Sequence, residues 1–390
     1  MNRLTTALLL LSALLTGCTP TPRRLTVEIV NPLDTERSAE MVEIPVQDLI
    51  DRLQPNAGEA FTVQDTAGRA LPCQLTYDDK LIFLASAPAN GKTTYRIQTG
   101  RQTAVKTRTV GRATPTSVVW ENDRIAFHAA RYRTDTSGMD AGYGVWVKNT
   151  AGLLSPRWTE QHTPPLLWQT GKTVGRDCHP AGKRPRPGAT LVAEPSGNVV
   201  WPEGWSDFEI LDNGPLRTTV RLRCRHRCPA YSSLYTTETR TLSLDAGSHL
   251  CRIVLRYEHP DTGRLRLLTV LPLPAADAPF TAETELGLLA RTEPVDSTAP
   301  TSGLLHTGCV FPHTAIQAGL IRSGKDETAL RRAAGYLFAR TAQQPGATYE
   351  YYFGAAWSNG PESIRNASEW VEYLTAEARK LRHPLNVTLR

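Results

Sequence analysis

Between Trp120 and Trp146 the chain reads WENDRIAFHAARYRTDTSGMDAGYGVW, which packs Glu121, Asp123, Arg124, His128, Arg131 and Tyr143 into about two strands and a Gly-rich turn. On strict strand alternation Arg124, Ala126, His128 and Ala130 share one face, while Ile125, Phe127 and Ala129 share the other. A guanidinium and an imidazole projecting together would hold an anion and move a proton near neutral pH. The same spacing equally describes a solvated outer face bearing an Arg and a His. A second group comes from GKTVGRDCHPAGKRPRPG, residues 171–188, where Arg176, Asp177 and His179 sit in a stretch too rich in Gly and Pro for regular structure. Loops held on a rigid scaffold are where function concentrates. Glu258, at the end of LCRIVLRYEH, is a further carboxylate whose alternative is a solvent-edge strand end.

These residue types suggest an acid–base centre. His128 or His179 is expected as general acid or base and Glu258 or Asp177 in the opposite proton role, with Arg124 on a substrate carboxylate. Arg176, Tyr143 and Trp146 are expected to line the same wall, and Tyr352 and Trp357 to stack on or hydrogen-bond the ligand. Aromatic rings interleaved with Pro and Gly, such as Trp158, Trp168, Trp201 and Trp205, suit the apolar C–H face of a pyranose and equally serve to bury a long loop.

The elements that must position these side chains are mostly strands. Val, Thr and short alternating runs dominate, 28 Gly and 28 Pro punctuate them, and little helical periodicity is present. Strands at 25–30, 41–45, 61–65, 71–77, 80–85 and 93–98, with a helical turn near 48–53, predict a small N-terminal antiparallel β-sandwich over residues 25–100. Residues 101–117 are polar and Thr-rich, reading as a linker or a solvent-facing strand. Residues 118–390 then form a large β-sandwich domain with long neighbouring strands. One helix is expected at Ala367–Leu381, with Asn366 as N-cap, Glu369 three residues on, and Trp370, Leu374, Ala378 and Leu381 as its apolar stripe. Residues 385–389 close the chain as a strand. Internal repeats, a phosphate-binding glycine loop and a nucleophile elbow are absent from the sequence.

Residues 1–17 read as a lipoprotein signal peptide, with an apolar run too short to span a bilayer and Leu-Thr-Gly ahead of Cys18. Cys18 is the expected lipidation site, and residues 18–24 a Pro-rich tether, which places the protein on a membrane of the cell envelope, facing the periplasm. The net charge is +6, and only eight of the 44 basic residues are Lys. Arginine's planar fork suits carboxylates, although a codon bias gives the same excess. Scattered basic residues in this compartment argue against nucleic acid. Six cysteines remain after Cys18. Cys224 and Cys228 in CRHRC do not converge on one ion when set four apart in a strand, so no metal and no other cofactor is expected. That leaves disulfides or buried thiols open.

The segments VEIVNPLDTERSAEMVEIP, LTYDDKLIF, WENDRIAF, GVWVKNT, ILDNGPLRTTVRL, LSLDAGSHL, YYFGAAWSNG, EWVEYL and HPLNVTL resemble, in their order, the domain-of-unknown-function 4861 family of Bacteroidetes-type secreted lipoproteins. That resemblance implies a mainly β fold whose large domain is a galactose-mutarotase-like super-sandwich. It also implies company with unsaturated-glucuronyl and rhamnogalacturonyl hydrolases in polysaccharide-utilisation systems. The stretch HPAGKRPRPGATLVAE departs from the family's shorter, glycine-rich pattern. The expected function is a carbohydrate-active lipoprotein acting on acidic, uronic-acid-containing oligosaccharides, by hydrolysis, lysis or epimerisation. The alternative is a non-catalytic sugar-binding lipoprotein of the same systems.

Overall fold

The structure, a computed structural model, describes residues 24–390 apart from 102–104, 115, 132–140, 157–174, 180–185, 195–198, 203–204, 228–234, 259–263, 276, 323–333, 345 and 362–363. The expected signal, Cys18 and most of the tether lie outside the described residues. So do Trp158, Trp168, Cys228 and His259.

The N-terminal third forms two facing antiparallel sheets. One contains Arg24–Val30, Lys92–Gly100, Ala60–Gln64 and Ala70–Leu71; the other contains Arg37–Pro45, Lys80–Ala87 and Cys73–Leu75. Alternation puts Val27, Ile29, Val63, Phe83 and Ile97 between them, and the helix Val46–Leu53 adds Leu49 and Leu53 to that core. The last strand of the chain, Asn386–Leu389, forms where the sequence predicts one. It pairs with Arg24–Val30, Val27 opposite Leu389, and so ties the C-terminus to the first sheet.

The larger body is built on an eight-stranded antiparallel sheet in the order Trp205–Asn213, Arg217–Arg227, Tyr235–Asp245, Leu250–Glu258, Thr348–Trp357, Leu304–Val310, Leu288–Pro294 and Phe280–Glu283. Two five-stranded sheets pack on its inner face. The first runs Thr109–Ala113, Ser117–Asn122, Ala126–Ala130, Gly144–Lys148, Gly175–Asp177, so part of the expected linker is an edge strand. The second is centred on Ala189–Ala193, Leu265–Leu273 and Gly335–Gln343. Trp120, Phe127, Val145, Leu222, Ile253 and Phe353 meet in one continuous core between the layers. The mainly β sandwich read from the sequence is therefore the fold. Of the described cysteines, Cys178, Cys224, Cys251 and Cys309 are free thiols, and the buried Cys73 donates to the Phe61 carbonyl at 3.5 Å.

The outer face of the eight-stranded sheet carries the helix Ala367–Arg382. The Asn366 side chain accepts from the Glu369 amide at 3.0 Å, as its N-cap spacing requires. Trp370, Leu374 and Ala378 are buried against the sheet. Two histidines of the sheet complete this contact: the rings of His306 and Trp370 stack with centroids 6.4 Å apart, and His249 meets Tyr373 edge-on at 5.4 Å. The backbone carbonyl of Ala355 lies 3.1 Å from His249 Nδ1.

Burial pushes both imidazoles down to about 4, with Arg124 adding to the effect at His249 and Glu369 opposing it at His306. Each is neutral in the fold but binds a proton near 6.5 when unfolded. The unfolded chain therefore takes up more protons as pH falls through this window. Stability present above about 6.5 is lost towards about 4, by about 3 kcal/mol from His249 alone. Denaturant midpoints measured between these two values should fall accordingly, and His249→Gln should flatten that slope.

Candidate functional site

The sheet that holds Ala126–Ala130 has both faces buried, and they differ in chemistry. Val118, Trp120, Phe127, Val145 and Val147 face the main core. Register places Glu121, Ala126, His128, Trp146 and Asp177 on the opposite face, because Ala126 pairs with both Glu121 and Trp146, and Trp146 with Asp177. On that second face Lys148 and Glu121, both fully buried, form an ion pair at 2.6 Å. The Glu121 carboxylate also accepts from the amides of Leu154 and Ser155, at 2.8 and 2.7 Å. Lys148 donates to the Gly152 carbonyl at 2.8 Å. The pair thus fastens the turn after Lys148 down onto the sheet.

Beside it His128 Nε2 lies 3.3 Å from Asp177 Oδ1, and the same oxygen accepts from the His179 amide at 3.0 Å. His128 is 5% exposed, and its ring packs against Trp146 with centroids 5.1 Å apart. The residue opposite it must be Gly144: a Cβ there would sit 1.8 Å from His128 Nε2. His179, also buried, brings its Nε2 to 3.5 Å from Glu293 Oε1, and Arg291 is bonded to that same Glu293 oxygen. Two histidine–carboxylate pairs therefore adjoin, one from the five-stranded sheet and the loop after it, the other reaching the strand Leu288–Pro294.

The charges around the first pair fix its protonation. Burial pushes His128 below its ordinary value; Asp177 opposes this, while Arg186 and His179 add to it. Burial would raise Asp177, but His128 and the buried Arg186 outweigh it and hold the carboxyl below the usual range. At neutral pH the arrangement is a neutral imidazole donating through Nε2–H to an ionised carboxylate, in position to accept a proton on Nδ1. Arg176, next to Asp177 in the chain, is on the opposite face of the strand, about a quarter exposed, and donates to Asp296 at 3.1 Å.

Of the residues expected from the sequence, His128, Trp146, Asp177 and His179 come together here; Arg176, paired with Val147, is on the other face of its strand. Arg124 does not share a face with His128. Asn122 accepts from the Arg124 and Ile125 amides at 2.8 and 2.9 Å, turning the chain so that Arg124 precedes the strand and sits near His249 and Tyr373. Glu258 is exposed at the end of its strand, away from the two pairs. Tyr143 is a core side chain, edge-on to Trp120 at 5.8 Å. Trp357 is buried and donates from Nε1 to the Ser302 carbonyl at 2.8 Å. Tyr352 is on the outer face of the eight-stranded sheet, its hydroxyl donating to Glu350 at 3.3 Å.

Sequence reasoning missed Glu293 and Arg291, which lie more than a hundred positions from His179 and follow only from the sheet order. It also missed a fully buried trio inside the sandwich. His226 Nε2 is 2.5 Å from Glu238 Oε2, and Arg240 is bonded to the other oxygen of that carboxylate. Burial opposes ionisation of Glu238, but Arg240 and His226 bring it down to about 2. The alternation His226, Glu238, Arg240 on paired strands is visible in the sequence only once their register is known. No three His, Cys, Asp or Glu side chains converge on a metal position among the described residues.

The fold and this site define a mainly β, multi-sheet sandwich protein with paired histidine–carboxylate groups. The sequence profile of the domain of unknown function DUF4861 matches residues 29–387, and the chain belongs to that family. No curated protein matches it at significant similarity. Among solved structures it is similar to a protein in the glycosyl hydrolase family 38 from Enterococcus faecalis, at 9% identity and a TM-score of 0.53, over 94% of this chain and 47% of that one. It also overlaps an alpha-mannosidase from Enterococcus faecalis V583, at 10% identity and a TM-score of 0.45, over 94% and 46%. The chain spans about half the length of these proteins, and the likeness is one of fold.

The tight fit of His128 over Gly144 is testable without a substrate. Gly144→Ala should expel the imidazole and destabilise the protein by about 1–3 kcal/mol, as overpacking does. In the His128→Ala background the added methyl meets no ring, so the second substitution should cost much less; a denaturation cycle over the four proteins measures this coupling.

Proposed function

We propose that this protein is a carbohydrate-active envelope lipoprotein acting on uronic-acid-containing oligosaccharides, with His128 and Asp177 as its acid–base pair. The observation that carries the reading is the neutral imidazole of His128 held against an ionised Asp177 beside a second pair, His179 and Glu293. Two titratable groups facing one another suit catalysis, whereas sugar binding alone needs no matched acid and base. His128 takes or gives the proton at the reacting carbon or glycosidic oxygen, and Asp177 fixes its ring and balances the imidazolium that forms. His179 and Glu293 supply the opposite proton role. Trp146 backs the His128 ring. The fold shared with a family 38 glycosyl hydrolase fits a sugar substrate but does not choose a reaction. Cys18 anchors the body to the membrane by its acyl chains.

The test is incubation of purified protein with unsaturated and saturated uronic-acid oligosaccharides from pectin, ulvan and glycosaminoglycans, followed by product analysis. Turnover should drop by about 10²- to 10⁴-fold in His128→Ala and in Asp177→Asn. Because His128 must be neutral to accept a proton and its value is lowered, activity should hold through neutral pH and fall only on the acid side, below about 6.5. Full activity in both variants would sink the assignment. Binding of these sugars without any product would make the protein a sugar-binding lipoprotein instead.

A further inference from the structure

A cavity of about 550 Å³ lies on the other side of the sandwich, at the junction of the N-terminal strand Arg37–Pro45, the outer face of the eight-stranded sheet and the C-terminal helix. Its size is that of pockets that enclose a drug-sized ligand. Five carboxylates line it: Glu40, Glu43, Asp245, Glu350 and Glu377. Each already has its cation. Arg217 donates to Asp245 from Nε at 2.5 Å and Nη2 at 2.8 Å, and to Glu43 from Nη1 at 2.6 Å. Lys80 reaches Glu43 at 2.6 Å from behind the wall. Arg252 grips Glu350 with two bonds, at 3.0 and 2.8 Å. Lys380 holds Glu377 at 2.7 Å, and Arg37 holds Glu40. Each of the five lining carboxylates thus meets a permanent cation: Arg217, Arg252 and Lys380 within the wall, Arg37 and Lys80 behind it, the last shared with Asp78 at 3.1 Å; His313 is exposed among the lining residues.

That balance selects a ligand. A wall with no uncompensated charge favours neither an anion nor a cation, because an added ion would be desolvated with nothing to neutralise it. Yet the wall is dense in charge-assisted acceptors and donors held in fixed positions, and each carboxylate oxygen keeps lone-pair capacity beyond its Arg or Lys bond. A ligand with many hydroxyls and no charge satisfies both conditions. The half-buried ring of Tyr352 and the side chains of Met41, Leu84 and Leu250 give apolar surface for the C–H face of a pyranose.

We infer that this junction is a second binding site, for a neutral oligosaccharide of about two or three sugar units. It is separate from the His128 centre, with which it shares no residue, and does not depend on the reaction proposed there. The ligand touches three parts of the chain far apart in sequence, so its binding also fastens the N-terminal sandwich and the helix to the large sheet.

Cellotriose, xylotriose and maltotriose are the neutral probes and trigalacturonate the acidic one, each titrated calorimetrically into the full chain. At least one neutral probe should bind with a Kd of about 1 mM or tighter. Ser243→Trp, which fills the cavity from the sheet face, should weaken it about tenfold or more, and His128→Ala should leave it unchanged. Should the tryptophan variant fail to fold, Glu350→Gln serves, because it keeps the volume. It uncovers the Arg252 charge, so it should weaken the neutral sugar and let trigalacturonate displace it. Three results overturn the inference: no neutral probe binding at about 10 mM, trigalacturonate displacing a bound neutral probe from the wild type, or neutral binding that survives both Ser243→Trp and Glu350→Gln.

Discussion

The structure depends on a constraint met by the sheet from Thr109 to Asp177: a β-sheet buried on both faces must find partners for every polar side chain on the second one. Strand alternation sends Trp120, Phe127 and Val145 into the sandwich and leaves Glu121, His128, Lys148 and Asp177 on the reverse. An unpaired charge there would cost several kcal/mol, so the groups are matched: Glu121 with Lys148, His128 with Asp177. The first match ties down backbone through the Leu154 and Ser155 amides and the Gly152 carbonyl. The second contains an imidazole held neutral by burial, which is what distinguishes a reactive pair from a structural one. One geometric demand thus produces both the fastening of the loop and the candidate chemistry.

The same demand recurs deeper in the sandwich with a different outcome. His226, Glu238 and Arg240 lie between the layers, and the Arg240 guanidinium also donates to the Ala141 carbonyl at 2.9 Å. Arg240 and His226 on one carboxylate bring Glu238 down to about 2, which keeps it ionised near neutral pH. A group that cannot take up a proton near neutrality is a poor general base. The trio therefore reads as a polar tie between the large sheet and the segment carrying Ala141. His128 and Asp177 make a longer contact, at 3.3 Å, and no arginine is hydrogen-bonded to that carboxylate oxygen among the described residues.

Much of this was legible in the sequence wherever the signal was local. Alternation gave the mainly β fold, Asn366 with Glu369 gave the helix start, and the spacing of His128 within its strand and of Asp177 and His179 within GRDCH picked out the residues that meet. Arg124 was misread because alternation was extended two residues too far: Asn122 caps the turn, and the strand begins only at Ala126. Glu258 looked like a partner for His128 because both are polar near strand ends, but which strand ends adjoin is a matter of sheet order. Glu293, Arg291 and the pairing of Asn386–Leu389 with the first strand are contacts across most of the chain's length, and nothing in local periodicity encodes them.

That returning strand has a consequence for how the two polar regions are kept apart. By closing the first sheet with the last residues of the chain, the fold carries the C-terminal helix across the outer face of the large sheet. There it roofs Arg217, Arg252 and Tyr352 and stacks on His306. The His128 face is on the opposite side of the sandwich, separated from this roof by the whole apolar core. The two polar regions therefore share no side chain, and an ion pair altered in one is not required to change the protonation of the other. Each can be tuned by its own immediate neighbours, and a two-sided sandwich closed by its own C-terminus lets one chain carry both.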